Sequence, residues 1–133
     1  PFIMRGPGVP RGRRSDAQIY LRDMYPTTCE MAGLSIPRSV DGKSLVPLLR
    51  GEKDILYPAV FGYFYDAQRM IRTDRWKLIW YPKAGRTQLF DLKNDPNELE
   101  DLSEKSEHQQ QLRRLQTQMD AWFAEQSRST TAD

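Results

Sequence analysis

The side chains that could recognise a charged ligand lie together in the second half of the chain. Phe61, Tyr63, Phe64 and Tyr65 crowd one predicted strand, and Arg69 follows four residues after the last of them. Aromatic rings beside a guanidinium can stack against sugars or bases, and the guanidinium can also pair with an anion. The alternative is structural: these rings cover a sheet face beneath a helix, and Arg69 forms a salt bridge between segments.

Few residues could perform covalent or metal chemistry. Cys29 has no His, Lys or second Cys beside it in sequence to activate its thiol, so we expect a small buried hydrophobe. His108 stands at the polar start of the last predicted helix, where we expect an exposed side chain. A single cysteine excludes an internal disulfide and a cysteine-based zinc cluster. We therefore predict no catalytic residue and no metal ligand in the chain.

Length and charge exclude several classes of protein. The chain has 133 residues with a net charge of +2 at pH 7, so no strong field favours nucleic acid or an anionic membrane. Its apolar runs are far shorter than a membrane-spanning helix requires. The charge is uneven, however: four arginines, Arg5, Arg11, Arg13 and Arg14, crowd the first predicted loop. Charge runs of this kind usually form solvated surface.

The first 57 residues predict short, separate elements. Residues 2–4 and 17–21 have the apolar patterns of buried or half-buried strands. Asp23 is placed to begin a helix that contains Cys29 and ends at Gly33. Ser44 is placed to begin a second helix, which ends at Gly51.

From Pro58 the apolar period changes from helical to two. Four strands are predicted at residues 59–65, 68–73, 76–81 and 87–92. Their short connections indicate antiparallel neighbours. A final helix at 107–126 carries one apolar stripe: Leu112, Leu115, Met119, Trp122 and Phe123. The predicted fold class is α+β, a four-stranded antiparallel sheet packed by a long C-terminal helix.

Three regions follow from this pattern. Residues 58–126 form the small sheet-and-helix unit, and residues 127–133 form a polar, frayed tail. Residues 1–57 are interpreted as closing strand and helix segments of a larger α/β domain, since a three-residue strand needs neighbours elsewhere. Because the chain starts at Pro1 without a methionine, we interpret Pro1 as a cut end and the chain as part of a longer protein.

Six segments, in order along the chain, resemble motifs of the type I sulfatases: Phe2-Ile3-Met4-Arg5-Gly6-Pro7-Gly8, Asp23-Met24-Tyr25-Pro26-Thr27-Thr28, Asp41-Gly42-Lys43-Ser44-Leu45, Arg69-Met70-Ile71-Arg72 with Trp76-Lys77-Leu78-Ile79, Leu89-Phe90-Asp91-Leu92, and Asp95-Pro96-Asn97-Glu98 with Asp101-Leu102. Each segment is weakly specific by itself. Their shared order over nearly the whole chain makes the resemblance specific.

The resemblance implies the alkaline-phosphatase-like fold and a parent protein that hydrolyses sulfate esters with formylglycine and Ca²⁺. Cys29 does not match the formylglycine motif, so this chain resembles the C-terminal portion, without the nucleophile or metal ligands. In the family this portion contributes to substrate selection, which makes Tyr63, Tyr65 and Arg69 the candidate substrate-binding residues. The implied partners are the missing N-terminal sulfatase domain and a sulfated carbohydrate.

Two other functions stay open at this point. One is a free-standing carbohydrate-binding module that uses the aromatic strand, and the other is part of a related phosphodiesterase or phosphotransferase. By family analogy we expect an exported, periplasmic or lysosomal location. We also expect the isolated chain to self-associate through apolar surface that a larger domain would cover.

Overall fold

The computed structural model describes residues 2–129, in two compact units divided between Pro58 and Ala59. No helix within the described residues is long and apolar enough to cross a membrane. The first unit holds two short helices, α1 (Met24–Met31) and α2 (Val46–Arg50), with a 3-10 turn at Leu21–Asp23 leading into α1. The second unit holds all four strands and the long helix.

The predicted ends of the first two helices are confirmed within two residues. Gly33 follows α1 with φ 69°, and Gly51 ends α2 with φ 75°, so both adopt the left-handed conformation that glycine tolerates best. Ser44 Oγ accepts a hydrogen bond from Val46 N at 3.2 Å, but the N-cap of α2 is Leu45, one residue later than predicted. Cys29 is buried inside α1, as predicted.

The carboxylate of Asp23 organises the first unit. Asp23 is fully buried and accepts hydrogen bonds from Tyr20 N at 2.7 Å, Lys43 N at 2.9 Å and Tyr57 Oη at 2.7 Å. It therefore links three separate stretches of chain. Burial, followed by the hydrogen bond to Asp23, raises the pKa of Tyr57, so the phenol keeps the proton that it donates.

Gly42 shows why the segment at Asp41–Gly42 needs glycine. A Cβ atom at Gly42 would lie 2.5 Å from Arg22 O and 3.2 Å from the Pro26 side chain. Backbone therefore packs against backbone at this point, and the neighbouring Lys43 N can reach Asp23. A side chain here would push the two segments apart.

The structure does not place the segments predicted as strands, residues 2–4 and 17–21, in a sheet. Neither segment belongs to a strand, although Tyr20 has extended backbone angles of φ −105° and ψ 154°. A strand requires hydrogen bonds to a neighbouring strand, and no segment among the described residues pairs with either stretch. Leu21 instead begins the 3-10 turn before α1.

The four-stranded antiparallel sheet is confirmed. β1 (Val60–Phe64), β2 (Gln68–Arg72), β3 (Trp76–Tyr81) and β4 (Arg86–Asp91) are adjacent in chain order. The turn after β3 is a 3-10 turn that ends at Gly85, whose φ is 59°. Each strand pairs with the next one along the chain because the connections between them are short.

The long helix α3 (Gln109–Ser129) covers one face of this sheet. A fully buried row crosses the strands, and α3 adds Leu115 and Met119 to the same core: Ile71, Leu78, Leu89, Leu115 and Met119. Trp122 stacks on Phe61 with ring centroids 4.8 Å apart, so the predicted apolar stripe does face the sheet. α3 ends three residues beyond the predicted Gln126; residues 130–133 of the predicted tail lie outside the described part.

Two carboxylates complete the β4 side of the sheet. Asp91, at the end of β4, accepts a bidentate pair of hydrogen bonds from Arg75, with Nε–Oδ1 3.0 Å and Nη2–Oδ2 2.7 Å. Asp101 Oδ1 accepts from Leu89 N at 3.0 Å and from Ser103 N at 3.0 Å. One backbone donor of the edge strand β4, Leu89 N, therefore has a partner beyond the sheet itself.

These two carboxylates predict a loss of stability in acid. The hydrogen bonds from Arg75 hold the pKa of Asp91 below its ordinary value, although its burial acts in the opposite direction. The pKa of Asp101 is also below its ordinary value. Partial burial raises this pKa, but the backbone hydrogen bonds from Leu89 and Ser103 lower it by more. A lowered folded-state pKa contributes stability above the unfolded-state value of about 4, and that stability is lost as the pH falls through the folded-state value.

Urea-induced unfolding of the chain is measured from pH 7 down to pH 2.5. The urea concentration at the unfolding midpoint should decrease once the pH is lowered past about 4. Asp91→Asn should flatten this dependence, whereas Asp120→Asn on the exposed side of α3 should leave it unchanged. Equal pH profiles for wild type and Asp91→Asn would contradict the assignment.

Candidate functional site

Tyr63 and Arg69 are brought together by the register of the sheet. Tyr63 on β1 lies opposite Arg69 on β2, and Arg69 lies opposite Trp80 on β3. Residues directly opposite one another project from the same face of an antiparallel sheet. This face is the one that α3 covers, because Phe61 two positions before Tyr63 stacks on Trp122.

The guanidinium of Arg69 is held by two aromatic rings. Its Cζ atom lies 4.7 Å from the centroid of Phe123 on α3 and 5.2 Å from that of Trp80. The side chain is half-buried, so each cation–π contact is partly shielded from water. Packing of this kind orients the planar guanidinium and restricts its motion.

Arg69 has no carboxylate partner in the described part of the chain. The described residues therefore do not show the inter-segment salt bridge that was the structural alternative. Asp66, the acidic residue nearest in sequence, pairs instead with Lys83, with Nζ–Oδ2 2.9 Å. The cation is therefore oriented by rings and is not neutralised by an ion pair.

Tyr63 lies at the open border of the helix-covered face. Its ring meets Phe123 edge-on, with centroids 6.1 Å apart and the ring planes at 77°. The side chain is nevertheless 69% exposed. A phenol that is anchored on one side and exposed on the other can offer both a ring face and a hydroxyl to a ligand.

Tyr65 stands apart from this row. It lies in the turn after β1 with φ 48°, a left-handed conformation that is uncommon for a bulky residue. Its ring is 80% exposed and contacts Phe64 edge-on at 5.0 Å. The structure therefore joins Tyr63 and Arg69 into one site and places Tyr65 in the adjoining turn.

Two residues of the site were not singled out from the sequence. Trp80 lies in the third predicted strand and Phe123 in the predicted apolar stripe, but their contacts with Arg69 depend on the register and on where α3 crosses the sheet. In the sequence, Phe123 is marked only by its spacing at the end of the apolar stripe on the last predicted helix. That spacing predicts burial and does not predict a cation as the neighbour.

The groups considered for chemistry lie elsewhere. His108 is half-buried, not exposed as predicted, because its ring packs 5.5 Å from that of Trp76. Among residues 2–129, no three His, Cys, Asp or Glu side chains are grouped so that they could hold a metal ion. The Arg69 site offers a guanidinium, a phenol and ring faces, which suit binding of an anionic sugar.

Comparison with known proteins covers almost the whole chain. Residues 1–125 match the family described as N-sulphoglucosamine sulphohydrolase, C-terminal. Delta 4,5-hexuronate-2-O-sulfatase of Bacteroides thetaiotaomicron is 33% identical over 114 residues, which are 77% of this chain and 24% of that protein. Human arylsulfatase K is 34% identical over 119 residues, 79% of this chain and 22% of that protein.

A solved structure, that of a 2-O GAG sulfatase, superimposes with a TM-score of 0.78 at 27% identity. The match covers 96% of this chain and 30% of that one. The chain spans less than a quarter of the length of the two curated relatives.

Proposed function

The chain belongs to the N-sulphoglucosamine sulphohydrolase C-terminal family, and on that premise we propose that the full-length protein hydrolyses sulfate esters on carbohydrates. The observation that carries the proposal is the family match over residues 1–125. The relative named a hexuronate-2-O-sulfatase supports a sulfated sugar as the substrate class. The chain itself is the C-terminal part of such an enzyme.

The residues described here do not form the calcium site that a sulfatase implies. The buried carboxylates already accept hydrogen bonds from protein groups. Asp23 accepts from three donors, and Asp91 accepts from Arg75. Cys29 is buried in α1 and is followed by Glu30-Met31-Ala32-Gly33, which departs from the formylglycine motif. We assign both groups to the remainder of the protein and derive no step through them.

The partner that this proposal requires is an N-terminal sulfatase domain. The first unit exposes large apolar side chains, among them Ile3, Leu21 and Ile55, which are 89%, 86% and 66% exposed. Apolar side chains of this size usually lie against protein. We propose that the missing domain covers them, and that the isolated chain self-associates in its absence. An exported, periplasmic or lysosomal location belongs to the same proposal.

Within that protein, we propose that Arg69, Tyr63 and Tyr65 select the substrate. Arg69 is oriented by Trp80 and Phe123 and has no ion-pair partner among the described residues, so its in-plane N–H donors suit a sulfate or carboxylate. Tyr63 lies directly opposite Arg69 and adds a ring and a hydroxyl. Tyr65, in the exposed turn, adds a second ring at the border of the same surface.

The activity is tested by expressing the full-length reading frame and assaying a sulfated disaccharide, a small aryl sulfate and a phosphate diester. Hydrolysis of sulfate esters supports the proposal. Hydrolysis of the phosphate diester alone would favour the phosphoryl-transfer alternative. Binding of sugar by a protein that hydrolyses none of the three would favour the binding-module alternative.

The role of Arg69 is tested in the same protein. Arg69→Gln should raise KM for the sulfated disaccharide by roughly ten- to a hundredfold, because a charge-assisted hydrogen bond contributes about 1.5–3 kcal/mol. KM for the small aryl sulfate should be unchanged. Arg72→Gln is the matched control, since Arg72 is exposed on the same strand and faces the opposite side of the sheet. An unchanged KM for the disaccharide with a lowered Tm would show that Arg69 is purely structural.

A further inference from the structure

The first loop of the chain encloses a cleft that the proposed function does not use. Residues 4–7 and 9–12 line an open space of about 730 Å³. Arg5 and Arg11 both line it, together with the apolar side chains of Met4 and Val9. The loop is therefore concave, and two of the side chains that line it are cationic.

The loop backbone is restrained by its own sequence. Pro7 and Pro10 have restricted φ angles, and Gly8 and Gly12 adopt left-handed conformations with φ 77° and 67°. The two prolines restrict the loop at two positions, and the glycines permit the left-handed turns that its curved path requires.

The positive charge of this loop is not compensated within the described part of the chain. Arg5, Arg11 and Arg14 are exposed and belong to none of the ion pairs found there. Arg13 has a separate role, because its Nη1 donates to Leu49 O at the end of α2 at 3.4 Å. Residues 1–15 contain no acidic side chain at all. The charges of these arginines are therefore available to an anionic ligand.

We propose that this loop is a second binding site for a sulfated oligosaccharide, with Arg5 and Arg11 contacting its sulfate or carboxylate groups. Guanidinium groups bind such planar or tetrahedral oxyanions with paired hydrogen bonds. Met4 and Val9 supply apolar surface for the faces of the sugar rings. The choice of a sulfated sugar over another polyanion rests on the proposed function, and the site is formed by residues other than those of the Arg69 site.

Direct binding tests the site separately from catalysis. Fluorescence anisotropy of a labelled heparin-derived tetrasaccharide is measured with the full-length protein at low and physiological salt. Arg5→Gln/Arg11→Gln should raise Kd about tenfold or more and reduce its salt dependence, as expected for the loss of two contacts to anionic groups. Arg5→Lys/Arg11→Lys should bind with intermediate affinity, since charge is kept and paired hydrogen bonding is lost.

The matched control is Arg38→Gln/Arg114→Gln, which removes the same charge from two exposed positions without ion pairs in the described residues. It should change Kd less than threefold, about the size of a general charge effect. Equal loss in both double variants, or no binding by wild type, would overturn the proposal. Tighter binding of single-stranded RNA of equal charge would overturn the choice of ligand.

The outcome is separable from that of the proposed function. In the full-length protein, Arg5→Gln/Arg11→Gln should leave hydrolysis of a small aryl sulfate unchanged. A full-length protein that cleaves no sulfate ester while the loop still binds the tetrasaccharide would refute the proposed activity and leave the second site standing.

Discussion

Replacing Asp23 by alanine is expected to destabilise the first unit by about 3 kcal/mol or more, because three donors lose one buried acceptor and each unpaired buried group costs about 1–3 kcal/mol. The donors are Tyr20 N, Lys43 N and Tyr57 Oη, and they come from three separate stretches of chain. The measurement is amide hydrogen exchange of the 133-residue chain. The Tyr20 and Lys43 amides should lose their protection first.

Two variants control this experiment. Tyr57→Phe removes one donor and leaves two, so we expect a loss of about 1 kcal/mol. Asp54→Ala makes the same substitution at an exposed position a few residues before Tyr57, and we expect a change within about 0.5 kcal/mol. If Asp23→Ala and Asp54→Ala had the same effect, the carboxylate would not organise the unit.

Replacing Met119 by alanine is expected to destabilise the second unit by about 2–5 kcal/mol, the usual range for truncating a fully buried side chain. Met119 is fully buried beneath α3 in the cluster with Ile71, Leu78 and Leu89. Its truncation removes apolar surface from the core and leaves a cavity between helix and sheet. Urea unfolding, followed by tryptophan fluorescence, measures the loss.

Gln118→Ala is the matched control, because Gln118 precedes Met119 on α3 and faces solvent. We expect it to change stability by less than about 0.5 kcal/mol. The comparison of Met119→Ala with Gln118→Ala also probes the Arg69 site, because Phe123 lies one turn beyond Met119 and contacts Arg69. A loosened helix should raise KM for the sulfated disaccharide in the full-length protein. Equal stabilities of the two variants would show that α3 does not depend on this contact.

The sheet was predictable because its information is local. Alternating apolar residues and short turns define each strand, so β2 and β3 lie within one residue of their predicted ends. The stripe on α3 similarly marks which side is buried. The segments at residues 2–4 and 17–21 have equally apolar patterns, but a strand also needs a neighbour that the local pattern does not specify.

The candidate site was predictable only in part. Tyr63 and Arg69 stood out by residue type, yet their direct opposition depends on the register between β1 and β2. A shift of one residue would have placed them on opposite faces. The partner of Arg69 also had to be observed, because a guanidinium pairs with a carboxylate or with aromatic rings depending on what packs nearby. His108 was misjudged for the same reason: Trp76 reaches it from another strand.

The amino-acid sequence by itself determined the α+β class, the four strands, the helix that covers them and the resemblance to sulfatases. Those properties follow from periodicity, turn residues and motif order, all of which are read along the chain. Only the tertiary structure decided that Asp23 serves three donors, that Trp80 and Phe123 hold Arg69, and that Arg5 and Arg11 share one cleft. The first two depend on distances between residues far apart in sequence, which packing of each unit sets, and the third depends on the path that the loop backbone takes.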